Sequence, residues 1–279
     1  MIDTKLKNKV AIVTGANNPL GIGAATAKAL ASEGARVFIT YLRLSPEDYG
    51  GISSEEALRA TESGLPLYYA MQTRSAEEVV QAIQKMDGQA AAWEADLADP
   101  RNIPLIFDQA ESVLGPVDIL VNIAAYDKFP ETIFTADAKS IDNHFAVNTR
   151  AVALMISEYV RRYKERGANW GRIINLSTDA AQCFAGSISY GASKAATEAL
   201  TRSIAIEVGN LGITVNTIAP GPVQTGSFSQ ESVARESAKI PLGRIGQPED
   251  IADVIVFLAS EQARWLTGQA IKVSGGHNL

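Results

Sequence analysis

Residues 9–23 read KVAIVTGANNPLGIG, an apolar run followed by a turn with three glycines. The run has the β-branched composition of a buried strand, and the alanine-rich segment 23–33 after the turn has helical periodicity. Glycine permits a positive φ after the strand and lets the helix approach the sheet closely. This order of elements predicts a site for the phosphates of a dinucleotide. The residues predicted to line it are Gly15, Asn17, Gly21, Ile22 and Gly23.

The alternation of strand and helix continues along the chain. Several β-branched runs lack polar residues, which is typical of strands buried on both faces of a parallel sheet. The predicted strands are residues 9–14, 36–41, 90–94, 118–122, 172–176, 213–218 and 270–273. The predicted helices are residues 23–33, 76–87, 102–114, 138–166, 188–211 and 248–260. This pattern predicts one α/β domain over residues 1–279, a Rossmann-type doubly wound parallel sheet in three layers.

Composition excludes several classes of protein. The 279 residues are 46% hydrophobic and 20% charged, which suffices for a full core and excludes a disordered chain. A net charge of −6 disfavours nucleic acid and anionic membranes as partners. No apolar run reaches the ~20 residues of a membrane-spanning helix, and the N-terminus lacks a signal-peptide pattern. One cysteine and two histidines give little basis for a metal site. We expect a cytoplasmic protein without metal, membrane or nucleic-acid partners.

Residues 42–74 interrupt the alternation. They contain Ser-Pro, Gly-Gly and Gly-Leu-Pro turn signals, and a direct crossover to the next helix would not need them. We expect a surface excursion with one short helix near residues 54–62. The apolar cluster at residues 65–71 supports a second interpretation, a flap over a cofactor or a subunit contact.

The end of the second predicted strand bears on the choice of dinucleotide. An acid there would accept a hydrogen bond from the 2′-hydroxyl of NAD. The strand instead ends at Tyr41 and is followed by Arg43, which suits a 2′-phosphate. NADP(H) is therefore preferred over NAD(H), although Arg43 could be an ordinary surface residue. Asp96 and Leu97, after the third strand, are expected near the adenine.

A second group of residues has the composition of a catalytic site. Tyr190 and Lys194 are four residues apart in a helical segment and therefore share one face. An ammonium beside a phenol lowers the pKa of the phenol, which favours acid–base chemistry. Ser177 and Thr178 follow the fifth predicted strand, at the edge where doubly wound sheets bind ligands. Asn148 lies inside the longest predicted helix, where an inward amide could hold a water.

Taken together, these motifs resemble the short-chain dehydrogenase/reductase family, in particular its 3-oxoacyl carrier-protein reductases. The matching stretches are TGANNPLGIG (14–23), DILVNIAA (118–125), NLST (175–178), YGASK (190–194), IAPGPVQTG (218–226) and WLTGQAIKVSGG (265–276). The resemblance covers nearly the whole chain. It implies a seven-stranded parallel sheet, NAD(P)(H)-dependent interconversion of a small carbonyl and its alcohol, and a homotetramer or homodimer.

The resemblance also implies a role for individual residues. Tyr190 would be the acid–base group, Lys194 would bind the nicotinamide ribose and tune Tyr190, and Asn148 would hold a water of a proton relay. The hydroxyl that polarises the substrate is Thr178 if the strand is aligned, or Ser177 if residues are counted back from Tyr190. Asn122 and Ala124 would line the adenosine ribose. The residues near the nicotinamide would be Pro220, Val223 and Thr225.

The sequence departs from the family pattern at three places. Five residues instead of three separate the first two glycines of the turn, and Ile123 and Ala125 replace the commoner Asn and Gly. The third departure is the ambiguity between the two hydroxyls. The long turn is echoed in an enoyl-reductase branch that reduces a conjugated C=C, but Thr197 stands where that branch would place its lysine. Carbonyl reduction is therefore favoured, and a non-catalytic dinucleotide-binding scaffold is the other alternative.

The substrate is left open by these motifs. Residues 225–240 are expected to form a mobile lid, and the loop at residues 179–189 brings Cys183 and Phe184, which predicts a partly apolar pocket. Fatty-acyl, sugar, steroid and xenobiotic carbonyls all fit the motifs.

Overall fold

The computed structural model describes residues 3–45, 52–128 and 130–279. Within these residues, seven parallel strands form one sheet in the order β3-β2-β1-β4-β5-β6-β7. The strands are β1 (Val10–Thr14), β2 (Arg36–Tyr41), β3 (Gln89–Glu94), β4 (Ile119–Asn122), β5 (Gly171–Leu176), β6 (Ile213–Pro220) and β7 (Ala270–Val273). The predicted doubly wound sheet is confirmed.

Ten α-helices accompany the sheet in the described part of the chain. They are α1 (Ile22–Ser32), α2 (Ser54–Arg59), α3 (Leu65–Gln72), α4 (Glu77–Gln84), α5 (Asn102–Leu114), α6 (Ala138–Phe145), α7 (Val152–Glu165), α8 (Ile188–Val208), α9 (Gln230–Ser237) and α10 (Pro248–Ala259). The predicted helix 138–166 is interrupted by a π-helical turn, Ala146–Ala151. The short helix expected at residues 54–62 ends at Arg59, and α3 is a second helix in the excursion.

Two apolar cores lie on opposite faces of the sheet. The first is packed by α1, α4 and α10, and the second by α5, α7 and α8. β1 shows how one strand serves both, because Ala11 and Val13 face the first core while Val10 and Ile12 face the second. Burying a large apolar side chain contributes about 1.5–3 kcal/mol to the free energy of folding. The two cores therefore stabilise the sheet that positions the loops at its carboxyl edge.

The crevice of the fold opens between β1 and β4. The chain runs outward from β1 to β3 and then returns to β4 on the other side, so the loops after β1 and β4 diverge. Gly15, directly after β1, has φ +70°, and a Cβ there would lie 2.7 Å from Cα of Ala124 after β4. Glycine suits this position for two reasons: it tolerates a positive φ, and it has no Cβ to clash with Ala124.

The excursion at residues 42–74 folds back on its own start. The backbone N–H of Leu44 donates to the carbonyl oxygen of Gln72 at 3.1 Å, which brings the end of α3 beside the end of β2. Residues 46–51 of the predicted excursion lie outside the described residues.

The described residues contain neither a candidate membrane-spanning helix nor a candidate metal-ligand cluster. In residues 3–45, 52–128 and 130–279, no helix combines the length and apolar character needed to cross a bilayer. The same residues contain no group of three or more His, Cys, Asp or Glu side chains placed to hold a metal ion.

Candidate active site

The turn after β1 presents the start of α1 to the crevice. Gly21 caps α1 without any side-chain hydrogen bond, so the first N–H groups of the helix are left for a ligand. A Cβ at Gly23 would lie 2.3 Å from the carbonyl oxygen of Gly15, so glycine is needed for the helix to approach the turn this closely. Open N–H groups at the positive end of a helix dipole suit phosphate, and these residues therefore fit a dinucleotide.

The two asparagines that lengthen the turn bind protein segments. Nδ2 of Asn17 donates to the carbonyl oxygens of Gln72 at 3.1 Å and Arg74 at 3.0 Å. Nδ2 of Asn18 donates to the carbonyl oxygen of Thr225 at 3.1 Å. The buried amide of Asn17 thus holds the excursion against the turn, and the predicted contact of this residue with the cofactor stays a prediction.

At the adenosine end of the crevice, Arg43 is already paired. Its guanidinium donates to both carboxylate oxygens of Glu94, with Nη2 2.8 Å from Oε2, and its backbone N–H donates to Oε1 at 3.1 Å. This hydrogen bonding lowers the pKa of Glu94. Tyr41 at the end of β2 is partly exposed, and Oδ1 of Asp96 accepts from the N–H of Ala98 at 2.8 Å. Glu94 has no sequence signal for this role, because its pairing across two strand ends is visible only in the fold.

Tyr190 and Lys194 lie on the first turns of α8, at the carboxyl edge of the sheet. Nζ of Lys194 donates to the carbonyl oxygen of Leu176, the last residue of β5, at 2.7 Å. The same nitrogen lies 5.6 Å from the ring centroid of Tyr190. The Tyr190 ring also meets Phe184 edge-on at 5.9 Å and His144 at 6.4 Å. The spacing of four residues thus brings the phenol and the amine together.

Burial dominates the electrostatics of this pair. It raises the pKa of Tyr190 above its usual value, and the negative charge of Asp127 raises it further. Burial also lowers the pKa of Lys194 to about 8, against the opposing effect of Asp127. The expected lowering of the Tyr190 pKa is therefore wrong for this arrangement, because desolvation of the phenolate and the charge of Asp127 both act to raise it. A phenol that stays protonated at neutral pH is suited to donate a proton.

A buried carboxylate, Glu131, holds the start of α8. Its Oε2 accepts from the backbone N–H of Ser189 at 2.8 Å, and its Oε1 accepts from the hydroxyl of Ser140. Its backbone N–H donates to the carbonyl oxygen of Gly186 at 2.7 Å. Burial acts to raise the pKa of Glu131, but these hydrogen bonds leave the pKa below its usual value. The side chain of Ser187, the N-cap residue of α8, makes no capping hydrogen bond. Glu131 supplies this cap instead, through the N–H of Ser189, the residue directly before Tyr190.

Asn148 clamps two segments of the site together. Its Oδ1 accepts from the backbone N–H of Tyr126 at 2.8 Å, and its Nδ2 donates to the carbonyl oxygen of Tyr126 at 2.9 Å and to Oγ of Ser193 at 3.0 Å. Its backbone carbonyl, in the π-helical turn, accepts from Oγ1 of Thr197 at 2.6 Å. Both amide hydrogens are used by protein atoms, which gives the side chain a structural role, and the water-holding role stays a prediction. Thr197, where an enoyl reductase would place lysine, serves this clamp.

The two candidate hydroxyls after β5 differ in access. Ser177 is 1% exposed, and its Oγ donates to Oε1 of Glu198 at 2.8 Å. Thr178 is partly exposed, and its Oγ1 accepts from the N–H of Ala180 at 3.3 Å. Burial and pairing leave Ser177 without the surface that a ligand would need, whereas Thr178 keeps some.

The remaining predicted residues lie along the same edge. Asn122 is buried, and its amide begins a chain of side-chain hydrogen bonds under α8, through Asn175 at 2.8 Å, Thr201 at 2.9 Å and Thr217 at 2.7 Å. Its side-chain amide is thus bound inside the sheet, and its place beside the adenosine ribose stays a prediction. The other members follow the strand ends: Leu97 after β3, Ala124 after β4, Pro220 as the last residue of β6, and Val223 and Thr225 in the loop that Asn18 holds.

The chain is similar to a protein-family model and to several known oxidoreductases. A family model described as enoyl-(acyl carrier protein) reductase matches residues 47–278. The chain is 35% identical over 271 residues to the uncharacterized oxidoreductase YjdA of Bacillus subtilis, covering 97% of each protein. It is 37% identical over 278 residues to an NADPH-dependent aldehyde reductase of Arabidopsis thaliana chloroplasts, covering 97% of this chain and 94% of that one.

A solved structure agrees with the fold. A short-chain dehydrogenase/reductase from Serratia marcescens superposes with a TM-score of 0.79 at 32% identity, covering 98% of this chain and 99% of that chain.

The cap on α8 can be tested with Glu131→Gln, which removes the charge but keeps the shape. We expect kcat for oxidoreductase turnover to fall about 10- to 100-fold with little change in the KM for the dinucleotide, because Tyr190 is displaced while the turn after β1 is untouched. The unfolding free energy should fall by about 1–2 kcal/mol. Glu207→Gln, at an exposed position of α8, is the matched control. A folded Glu131→Gln protein with unchanged kcat would contradict the positioning role.

The lowered pKa of Lys194 predicts a pH profile. The amine is charged below its pKa of about 8 and neutral above it. We expect kcat/KM for oxidoreductase turnover to be flat near neutrality and to fall as pH rises through this value, since Tyr190 remains protonated there. Lys194→Arg keeps its charge and should lose this limb of the profile. A limb at the same pH in Lys194→Arg would assign it to another group.

Proposed function

Because the chain belongs to the short-chain dehydrogenase/reductase family, we propose that this oxidoreductase reduces a carbonyl to an alcohol with NADPH. The observation that carries the proposal is the pairing of Tyr190 with Lys194 where β5 ends, beside the crevice that opens between β1 and β4. A protonated phenol in this position can donate to a carbonyl oxygen while carbon accepts a hydride.

In this mechanism, bound dinucleotide supplies the hydride. The open N–H groups of α1 would hold its phosphates, in the turn whose close packing depends on Gly15 and Gly23. Tyr190 donates its proton to the carbonyl oxygen, and the ammonium of Lys194 stabilises the phenolate that remains. Thr178 is the hydroxyl proposed to share the carbonyl oxygen, since Ser177 is buried and paired.

We propose NADP(H) as the preferred dinucleotide. Arg43 follows β2 where the adenosine ribose would lie, and its pairing with Glu94 is half-exposed, so a phosphate can compete for the guanidinium at small cost. The similar Arabidopsis protein is described as NADPH-dependent. NAD(H) use is the alternative outcome.

C=C reduction is the second candidate function, favoured by the description of the matching family model. The position of Lys194 and the structural use of Thr197 argue against it. NADPH oxidation with a 3-ketoacyl thioester, compared with a 2-enoyl thioester, separates the two reactions. Dinucleotide binding without turnover of any carbonyl would support a non-catalytic scaffold.

We also propose a homotetramer or homodimer in the cytoplasm. Phe134 and Trp265 are 94% and 96% exposed, and side chains of this size are commonly covered when subunits associate. The single cysteine, Cys183, fits a reducing compartment.

Replacement of the proposed acid tests the reaction. Tyr190→Phe should lower kcat by about 10²- to 10⁴-fold, because no proton donor remains at the carbonyl oxygen. NADPH affinity, measured by the fluorescence of the bound dinucleotide, should change little. Tyr163→Phe is a suitable control, since that hydroxyl donates to the carbonyl oxygen of Leu211 at 2.8 Å inside the core. Full activity in Tyr190→Phe would refute the assignment.

The dinucleotide preference rests on Arg43. Arg43→Ala should lower the ratio of kcat/KM for NADPH to that for NADH about 10-fold, because charge-assisted hydrogen bonds to the 2′-phosphate are lost. Arg59→Ala, which removes an exposed arginine paired with Glu55, should leave the ratio unchanged. A wild-type enzyme that prefers NADH would contradict the assignment.

A further inference from the structure

The excursion lies across the crevice as a strap, which we define as residues 64–74. At one end, the backbone N–H of Gly64 donates to the carbonyl oxygen of Gly226, in the loop after β6, at 2.8 Å. At the other end, the buried amide of Asn17 holds the carbonyl oxygens of Gln72 and Arg74. The strap therefore runs from the lid region to the phosphate turn.

The strap carries two phenols toward the catalytic end of the crevice. Tyr68 and Tyr69 are neighbours on α3, with ring centroids 5.7 Å apart. Burial raises the pKa of each, and the charge of Asp127 raises both as well. The proximity of Tyr68 also contributes to the raised pKa of Tyr190. The charge of Asp127 thus acts on the two phenols of the strap and on the phenol of α8 alike.

That carboxylate, Asp127, is held at the site but left accessible. Oγ of Ser187 donates to its Oδ1 at 3.2 Å, and Ser187 is the residue from which α8 starts. The preceding residue, Tyr126, is fixed by the Asn148 clamp. Asp127 is solvent-exposed, yet the surrounding protein raises its pKa through desolvation. The bond to Ser187 therefore keeps this exposed carboxylate at the start of α8, three residues before Tyr190.

We infer that Asp127 recognises hydroxyl groups beside the reacting carbonyl, so that the substrates are small, hydroxylated carbonyl compounds without an anionic group. This inference rests on the proposed function and narrows its substrate class. A hydroxyl can donate a hydrogen bond to a carboxylate, whereas an alkyl chain would displace water from the charge without replacing the lost hydrogen bonds. An anionic group would be repelled by Asp127.

Two aldehydes of equal carbon number test the inference. Glyceraldehyde carries hydroxyls that propanal lacks, and kcat/KM is measured for both with NADPH. We expect the wild type to prefer glyceraldehyde by at least about 10-fold. Asp127→Asn should remove most of this preference by raising KM for glyceraldehyde, with propanal affected much less. Asp253→Asn, an exposed acid on α10, is the matched control and should keep the wild-type ratio.

Each outcome decides one question. A wild type that reduces both aldehydes with equal kcat/KM, or an Asp127→Asn variant that changes both alike, overturns the role of Asp127 and leaves the proposed function in place. A wild type that oxidises NADPH with neither aldehyde, but does so with a 3-ketoacyl thioester, also overturns the inference alone. Failure with every carbonyl overturns the proposed function and the inference with it.

Discussion

The position of Tyr190, the proposed acid, depends on how α8 begins. Helix starts usually rely on a nearby side chain, but Ser187 does not cap this one. Glu131, far away in sequence, reaches the N–H of Ser189 and is itself held by Ser140 on α6. An unpaired carboxylate would be costly at this burial, so the charge, the helix dipole and the hydrogen bonds stabilise one another. This contact joins three segments at the point where Tyr190 must be placed.

Two irregular features of the sequence, the long turn after β1 and the excursion after β2, contact each other in the structure. The turn after β1 is longer than the family pattern, and the chain after β2 makes an excursion. Asn17, which belongs to the longer turn, donates both of its amide hydrogen bonds to the end of the strap. Asn18 holds the loop after β6. The extra residues of the turn therefore connect the phosphate site to the two segments that cover the crevice.

Strands and the helices that pack on them could be predicted from the sequence, because burial on both sheet faces imposes continuous apolar runs. β2, α5 and β7 begin and end where their patterns indicate. α3 could not be predicted as a helix, since its stability depends on contacts with a distant turn and loop. The placement of Tyr190 beside Lys194 follows from helical spacing alone. The pairings of Glu94, Glu131 and Asp127 depend on which strand ends and loops become neighbours, and single residues carry no such signal.

A crystal structure with bound NADP⁺ tests the central claim most directly. The account predicts the pyrophosphate at the start of α1 and the nicotinamide C4 facing the space beside the Tyr190 hydroxyl, with both close enough to contact one carbonyl group at about 3–3.5 Å. A dinucleotide bound elsewhere, or a Tyr190 hydroxyl turned away from the nicotinamide, would contradict it.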